Sequence, residues 1–265
     1  IKEIVHGRYR AYELDLARKL FPKLKKGVLV LMDRLFFAFD FLWDIHGQGC
    51  DFVVRMTSVC SPRVVNRFSK SDVIVEISIP RHYRRRRGDM PRTWMLRMVS
   101  YVPEGGTETI RLLTTMLDPK ISRNEIAALY HERWEVETVF DEIKTHLADC
   151  TTVNRPVVFR SRTPKRVKQE LYGMVTAYNI LRGVMADVGE ENDIAPTRLS
   201  FMATLERVRE CMRDVMLDHS ISVATRIRFM RSAIARATVP KRPGRKFPRA
   251  VKVKMSGYPL KRNVA

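Results

Sequence analysis

From Ser122 to Leu147 the chain runs without a glycine or a proline. Ser122 and Glu125 stand at the spacing of a capping box, which marks a helix start. Apolar residues then recur at Ile126, Leu129, Trp134, Phe140, Ile143 and Leu147, a helical period. The run predicts one long amphipathic helix. At about 100° per residue, Tyr130, Arg133, Glu137 and Lys144 fall within an arc of roughly 60°. One face therefore offers an aromatic hydroxyl, a guanidinium, a carboxylate and an ammonium in a row. Such a row reads either as a solvated face with helical ion pairs or as a functional array, and spacing alone leaves both open. Asp141 lies close to the same face and reads more simply as an intrahelical partner of Lys144.

Upstream, Tyr12 to Phe21 carries an apolar helical stripe that Pro22 ends. Val28 to Met32 is a continuous apolar run, as expected of a strand covered on both faces. Asp33 and Arg34 follow at its carboxyl end, where open α/β sheets place their sites; a turn or helix-cap Asp is the plain alternative. Phe36 to Ile45 predicts a short helix broken by Gly47 and Gly49, and Asp51 to Met56 a second buried strand. Val73 to Ile79, Trp94 to Val102 and Thr109 to Leu117 read as strands, with a Pro-Glu-Gly-Gly turn joining the last two. Among them sit Arg81-His82-Tyr83 and Arg84, Arg85, Arg86 and Arg87, either a solubilising loop or a phosphate-contacting cluster. After the long run come a basic connector over 153–162 and three helices over 167–188, 197–217 and 222–237. A Lys/Arg/Pro/Gly-rich end from Pro240 reads as an extended arm.

The formal charge of +20 on 265 residues sets the partner class. So basic a balance points to a polyanion, nucleic acid before membrane surface. No apolar run approaches the length of a membrane span, and no signal-peptide pattern opens the chain. The four cysteines form no close pair and the six histidines show no metal-ligand spacing. Reduced thiols in a cytoplasmic, nucleoid-associated protein fit that usage.

The spacing Tyr130-x2-Arg133-x3-Glu137-x6-Lys144 resembles the YREK signature of bacterial insertion-sequence transposases of the insertion-sequence-four type, which are DDE enzymes. Gly27 to Phe37 is similar to the segment that carries the family's second catalytic Asp. Ser161-Arg162-Thr163-Pro164 with Gln169-Glu170-Leu171 resembles the connector and helix that follow the catalytic helix. Arg242-Pro243-Gly244-Arg245 with Pro248-Arg249 resembles the family's basic ending. The resemblance covers nearly the whole chain.

It implies an α/β, ribonuclease-H-like fold, partial because the first strands are missing. A β-rich insertion precedes the catalytic helix and a helical region closes the chain. The expected divisions are 1–56, 57–118, 119–188, 189–239 and the tail 240–265. The family's first catalytic Asp lies on an earlier strand, whereas the nearest upstream acid here, Asp15, is in a helix pattern. With Ile1 in place of Met, this fits the C-terminal portion of a transposase. The implied function is metal-dependent DNA end cleavage and strand transfer in cut-and-paste transposition, inactive in this portion alone.

Hard cations such as Mg2+ or Mn2+ take carboxylate oxygens, so Asp33 and Glu137 are the expected ligands. Tyr130, Arg133 and Lys144 complete the expected catalytic face. Arg34, Trp134, Arg84 to Arg87, Arg162, Arg245 and Arg249 are the expected contacts to double-stranded DNA at transposon terminal inverted repeats. A homodimer joining two ends is implied by the family alone. Trp94 and Trp134 read either as core residues or as platforms for an extruded base. A DNA-binding remnant or inhibitor without catalysis, and a basic RNA-binding protein, are the competing functions; the second leaves the YREK spacing unexplained.

Overall fold

The computed structural model describes residues 1–7, 11–57, 60–103, 108–147 and 159–240. Its centre is a six-stranded sheet. The elements follow in order as α1 (Glu13–Arg18), β1 (Leu29–Met32), α2 (Phe39–Gly47), β2 (Asp51–Arg55), β3 (Arg63–Ser69), β4 (Asp72–Ser78), α3 (Arg81–Arg86), β5 (Thr93–Tyr101) and β6 (Ile110–Thr114). Then come α4 (Arg123–Glu132), α5 (Trp134–Asp141), a π turn (Glu142–Leu147), α6 (Pro164–Glu191), α7 (Phe201–Leu217) and α8 (Val223–Arg236).

The sheet order is β1-β2-β6-β5-β4-β3. β1 and β2 are parallel, joined over the sheet by α2, and every later pairing is antiparallel. The expected β insertion is therefore not a separate sheet: β6 pairs directly with β2, so the insertion widens the sheet that β1 and β2 begin. The chain turns back from α2 into β2 at Gly49, whose φ of +71° is open to glycine at little cost.

Period-2 alternation divides the sheet's side chains between two cores. Val30, Met32, Phe52, Val54, Leu113, Leu96 and Trp94 join Leu14 of α1 and Phe39, Leu42 and Ile45 of α2 on one face. Leu29, Leu31, Val53, Leu112 and Val99 meet Ile126 and Tyr130 of α4 on the other. A third core is wholly helical and gathers Ile143, Tyr178, Leu181, Met185, Phe201, Leu205 and Ile234 from the π turn, α6, α7 and α8. Trp94 belongs to the first core, edge-on to Trp43 at 5.0 Å.

Several expectations are corrected. β1 is only half-buried apart from Met32, because it is an edge strand among the described residues. The basic cluster, for which a solubilising loop was one of the two readings, forms the short helix α3 over Arg81–Arg86, started by Pro80 at its cap. β3, with no apolar alternation to announce it and every residue exposed, went unforeseen. The long run from Ser122 begins at the expected capping box but is not one regular helix. At Arg133 it tightens: the Arg133 N–H donates to the Tyr130 carbonyl and the Val136 N–H to the Arg133 carbonyl, both i to i+3. At Glu142–Leu147 it loosens into the π turn. The Pro-Glu-Gly-Gly turn, most of the basic connector and the tail lie outside the described residues.

Candidate active site

One end of the sheet gathers the candidate groups. Parallel pairing places Met32 beside Val54, so the residues after them, Asp33 and Arg55, leave β1 and β2 at the same end. β5 runs in the direction of β2, since both are antiparallel to β6; Tyr101 therefore ends there as well. α4 lies across this end through Ile126 and Tyr130, which pack on Val53, Val99 and Leu112.

Asp33 fulfils both readings of its sequence position. It sits at the end of β1, and its Oδ1 accepts the Leu35 N–H at 2.8 Å, capping a 3-10 turn over Arg34–Phe36. Arg34 beside it is exposed. Tyr130 is buried, and burial is the main force pushing its phenol above the usual range. The cations Arg133 and Arg55 pull it back and the Asp33 charge pushes it up again. The same phenol thus senses Asp33 from the sheet and Arg133 from its own helix. Burial, helped by Tyr130, pushes Tyr101 up to about 12. Both shifts favour the protonated phenol at neutral pH.

Arg133 stands at the tightened joint between α4 and α5. Its Nη1 and Nη2 donate to Glu137 Oε1 at 3.2 and 3.3 Å. Its guanidinium also lies 5.6 Å from the Tyr130 ring and 5.1 Å from the Trp134 ring. Trp134 is 39% exposed rather than in a core. Tyr130, Arg133, Glu137 and Trp134 are therefore one contiguous group, with Asp33 and Arg55 beside it. Lys144 is exposed in the π turn with its Nζ 5.4 Å from the Phe140 ring. Lys144 thus lies in a π turn and not on the regular helix that the spacing assumed.

The four arginines of the basic cluster separate. Arg85 and Arg86 are exposed. Arg87 is engaged internally, with Nη1 bonded to Asp44 Oδ1 and Nη2 3.3 Å from Asp89 Oδ2. Arg84 donates from Nε to the Ile79 carbonyl at 3.1 Å. Arg87 is thus engaged in ion pairs in this structure, unlike its neighbours Arg85 and Arg86. Arg162 is exposed just before α6, and Arg245 and Arg249 lie outside the described residues.

Sequence reasoning missed Arg55, whose Nη2 is 2.6 Å from Glu108 Oε1. The strand-end argument applied to Asp33 finds it as well. It also missed Glu142, a buried acid in an otherwise apolar stripe. Among the described residues no group of three or more His, Cys, Asp and Glu side chains could hold a metal ion. Asp33 and Glu137 are carboxylates of the kind that magnesium uses, one or two at a time with water and phosphate completing the shell.

A family model for the transposase DDE domain matches residues 9–180. The chain belongs to the transposase DDE domain family. The matched span runs from α1 into α6 and contains every candidate residue from Asp33 to Lys144. The chain is 25% identical over 257 residues to the transposase InsG for insertion sequence element IS4 of Escherichia coli (strain K12), covering 96% of this chain and 57% of that protein. This DDE-domain chain spans a little over half the length of the curated relative it matches. No helix among its described residues is long and apolar enough to cross a membrane.

Proposed function

We propose that the chain is the DNA-cutting portion of an insertion-sequence transposase, acting at the terminal inverted repeats of its element in cut-and-paste transposition. The carrying observation is the grouping of Asp33 with Tyr130, Arg133 and Glu137 at one sheet end in a member of the transposase DDE domain family. The reading places the chain in the cytoplasm, at the nucleoid, and pairs two copies across two ends.

Asp33 and Glu137 would hold Mg2+ or Mn2+, which supplies an activated oxygen nucleophile and relieves charge at the phosphate. The chain's own groups bind and orient the DNA. Arg133 offers a planar fork that matches phosphate oxygens, and Lys144 offers a point charge. Arg55 adds a second guanidinium at the strand end. Tyr130 keeps its proton and donates from a buried position. Trp134, half-exposed beside Arg133, offers a stacking face to a base turned out of the duplex. Arg34, Arg85, Arg86 and Arg162 provide further phosphate contacts, and Arg245 and Arg249 extend them along the tail.

A second reading, DNA binding without cutting, is favoured because among the described residues no group of three or more His, Cys, Asp and Glu side chains could hold a metal ion. The resemblance to DDE transposases implies a third carboxylate beside Asp33 and Glu137. The deciding experiment incubates the purified chain with a terminal-repeat duplex and magnesium, beside a protein extended to the length of the InsG relative. Cutting by the longer protein alone supports the transposase reading with the site incomplete in this chain. Failure of both to cut, with salt-dependent binding retained, supports the remnant; failure of both to bind DNA removes both readings.

A further inference from the structure

Glu142 opens the π turn and points away from solvent into the helical core. Its Oε1 and Oε2 accept Arg182 Nη2 at 2.8 and 2.6 Å, and its Oε2 accepts the Tyr178 hydroxyl at 3.0 Å. Arg182 Nε donates to the Tyr178 oxygen at 2.9 Å. The three side chains close a triangle between the π turn and α6. The Arg182 guanidinium also lies 5.6 Å from the ring of Phe201, which opens α7. Ile143, the next residue, is buried against the same helices, and Lys144 after it is exposed.

We infer that Glu142 is a positioning residue: held by Arg182 and Tyr178, it fixes the π turn in the register that presents Lys144 to a DNA phosphate. The inference rests on the DNA-cutting reading above. Stability alone does not account for the triangle, because replacing a buried ion pair with apolar side chains of similar size is often neutral or stabilising. The best-attested role of a buried pair is to set register. A straight α-helical ending would still bury Ile143 and other apolar residues in this core. The Glu142 carboxylate is tied to Arg182 while Lys144, two residues on in the same turn, is exposed. π turns inside α-helices are frequent at functional sites.

The test measures the salt dependence of binding to a short mixed-sequence DNA duplex by gel shift. In the native chain, Lys144→Ala should lower the slope of log affinity against log salt by about 1, the loss of one phosphate contact. The double variant Glu142→Leu/Arg182→Leu should keep a melting temperature near the native value yet already show that lower slope. Adding Lys144→Ala to it should change nothing further. Arg162→Ala, on a different element, should lower the slope equally in both backgrounds. If Lys144→Ala keeps its full effect in the double variant, or if Arg162 loses its effect there too, the positioning role is overturned. An unchanged slope for Lys144→Ala in the native chain overturns it as well. Should the double variant fail to fold, Glu142→Gln carries the same comparison, and an undiminished Lys144 effect in that background is the overturning result. Salt-independent binding by the native chain sinks the DNA reading itself, a separate outcome.

Discussion

Arg133 and Glu137 face each other one helical turn apart, with both terminal guanidinium nitrogens of Arg133 within 3.3 Å of the same Glu137 oxygen. On the proposed DNA-cutting reading, the two partners take different roles on one helix face. Glu137 contributes negative charge suited to a cation, and Arg133 contributes a fork suited to phosphate. In a protein extended to the length of its InsG relative, Glu137→Gln should abolish end cleavage while leaving DNA affinity nearly intact. Gln keeps the size and loses the charge, so the cation is weakly held and charge developing at the phosphate is unrelieved. Arg133→Ala should weaken both cleavage and binding and lower the salt slope by about 1. An end-cleavage assay beside a gel-shift titration at two salt concentrations measures both. Near-native cutting by Glu137→Gln would leave Glu137 a surface ion-pair residue.

The basic cluster should divide under mutation. Arg85→Ala and Arg86→Ala should each reduce DNA affinity and the salt slope while changing stability by less than about 0.5 kcal/mol, as exposed surface substitutions do. Arg87→Ala should cost on the order of 1 kcal/mol, because it breaks contacts to two carboxylates that join α2 to the turn after α3. Thermal melts and gel shifts on the three variants separate the roles; equal behaviour of all three contradicts the division.

Arg97 and Asp72 make the most buried ion pair described. Arg97 Nε and Nη2 donate to the two Asp72 oxygens at 2.7 and 2.6 Å, and Nη1 donates to the Asp118 carbonyl at 2.8 Å. The pair ties β4 and β5 to the segment that leads from β6 into α4. Asp72→Ala should destabilise the chain by about 3–5 kcal/mol, since it leaves a guanidinium buried without its counter-charge. Denaturant unfolding reads this directly. A loss below 1 kcal/mol would mean that water or a shifted strand compensates the arginine.

The parts of this fold that were legible in sequence share a physical cause. β1, β2, β4, β5 and β6 carry apolar runs, α4 carries its capping box, and α6 begins at Pro164; each signal is local. That Tyr130, Arg133 and Glu137 sit together was legible from their spacing, because successive helical turns relate them. The π turn was not legible, since the same residues satisfy a straight helix locally. Glu142 reaches the widened register through Arg182, 40 residues on. The ion pair of Arg87 was hidden for a related reason: its partner Asp44 is distant in sequence, and composition does not separate a paired arginine from its neighbours. Arg55 lay within reach, at the end of a predicted strand.

The burial of Glu142 makes a pH prediction with a definite sign. Burial pushes its carboxyl above the ordinary range, and the Glu135 charge adds to the rise. Arg182 and the Tyr178 hydroxyl act against it without cancelling it. A folded-state value above the unfolded one means that the native state takes up the proton more readily. The resulting stabilisation is fully present below the unfolded carboxyl value and is lost as pH rises through the raised native value. Glu142→Gln removes the titration and leaves the other groups in place. The stability of the native chain relative to this variant should therefore fall as pH rises across that window, then level off above it. Denaturant unfolding of both proteins at a series of pH values, at fixed ionic strength, gives the difference curve. A difference that rises with pH would mean that the Arg182 charge outweighs burial and holds the carboxyl below its ordinary range.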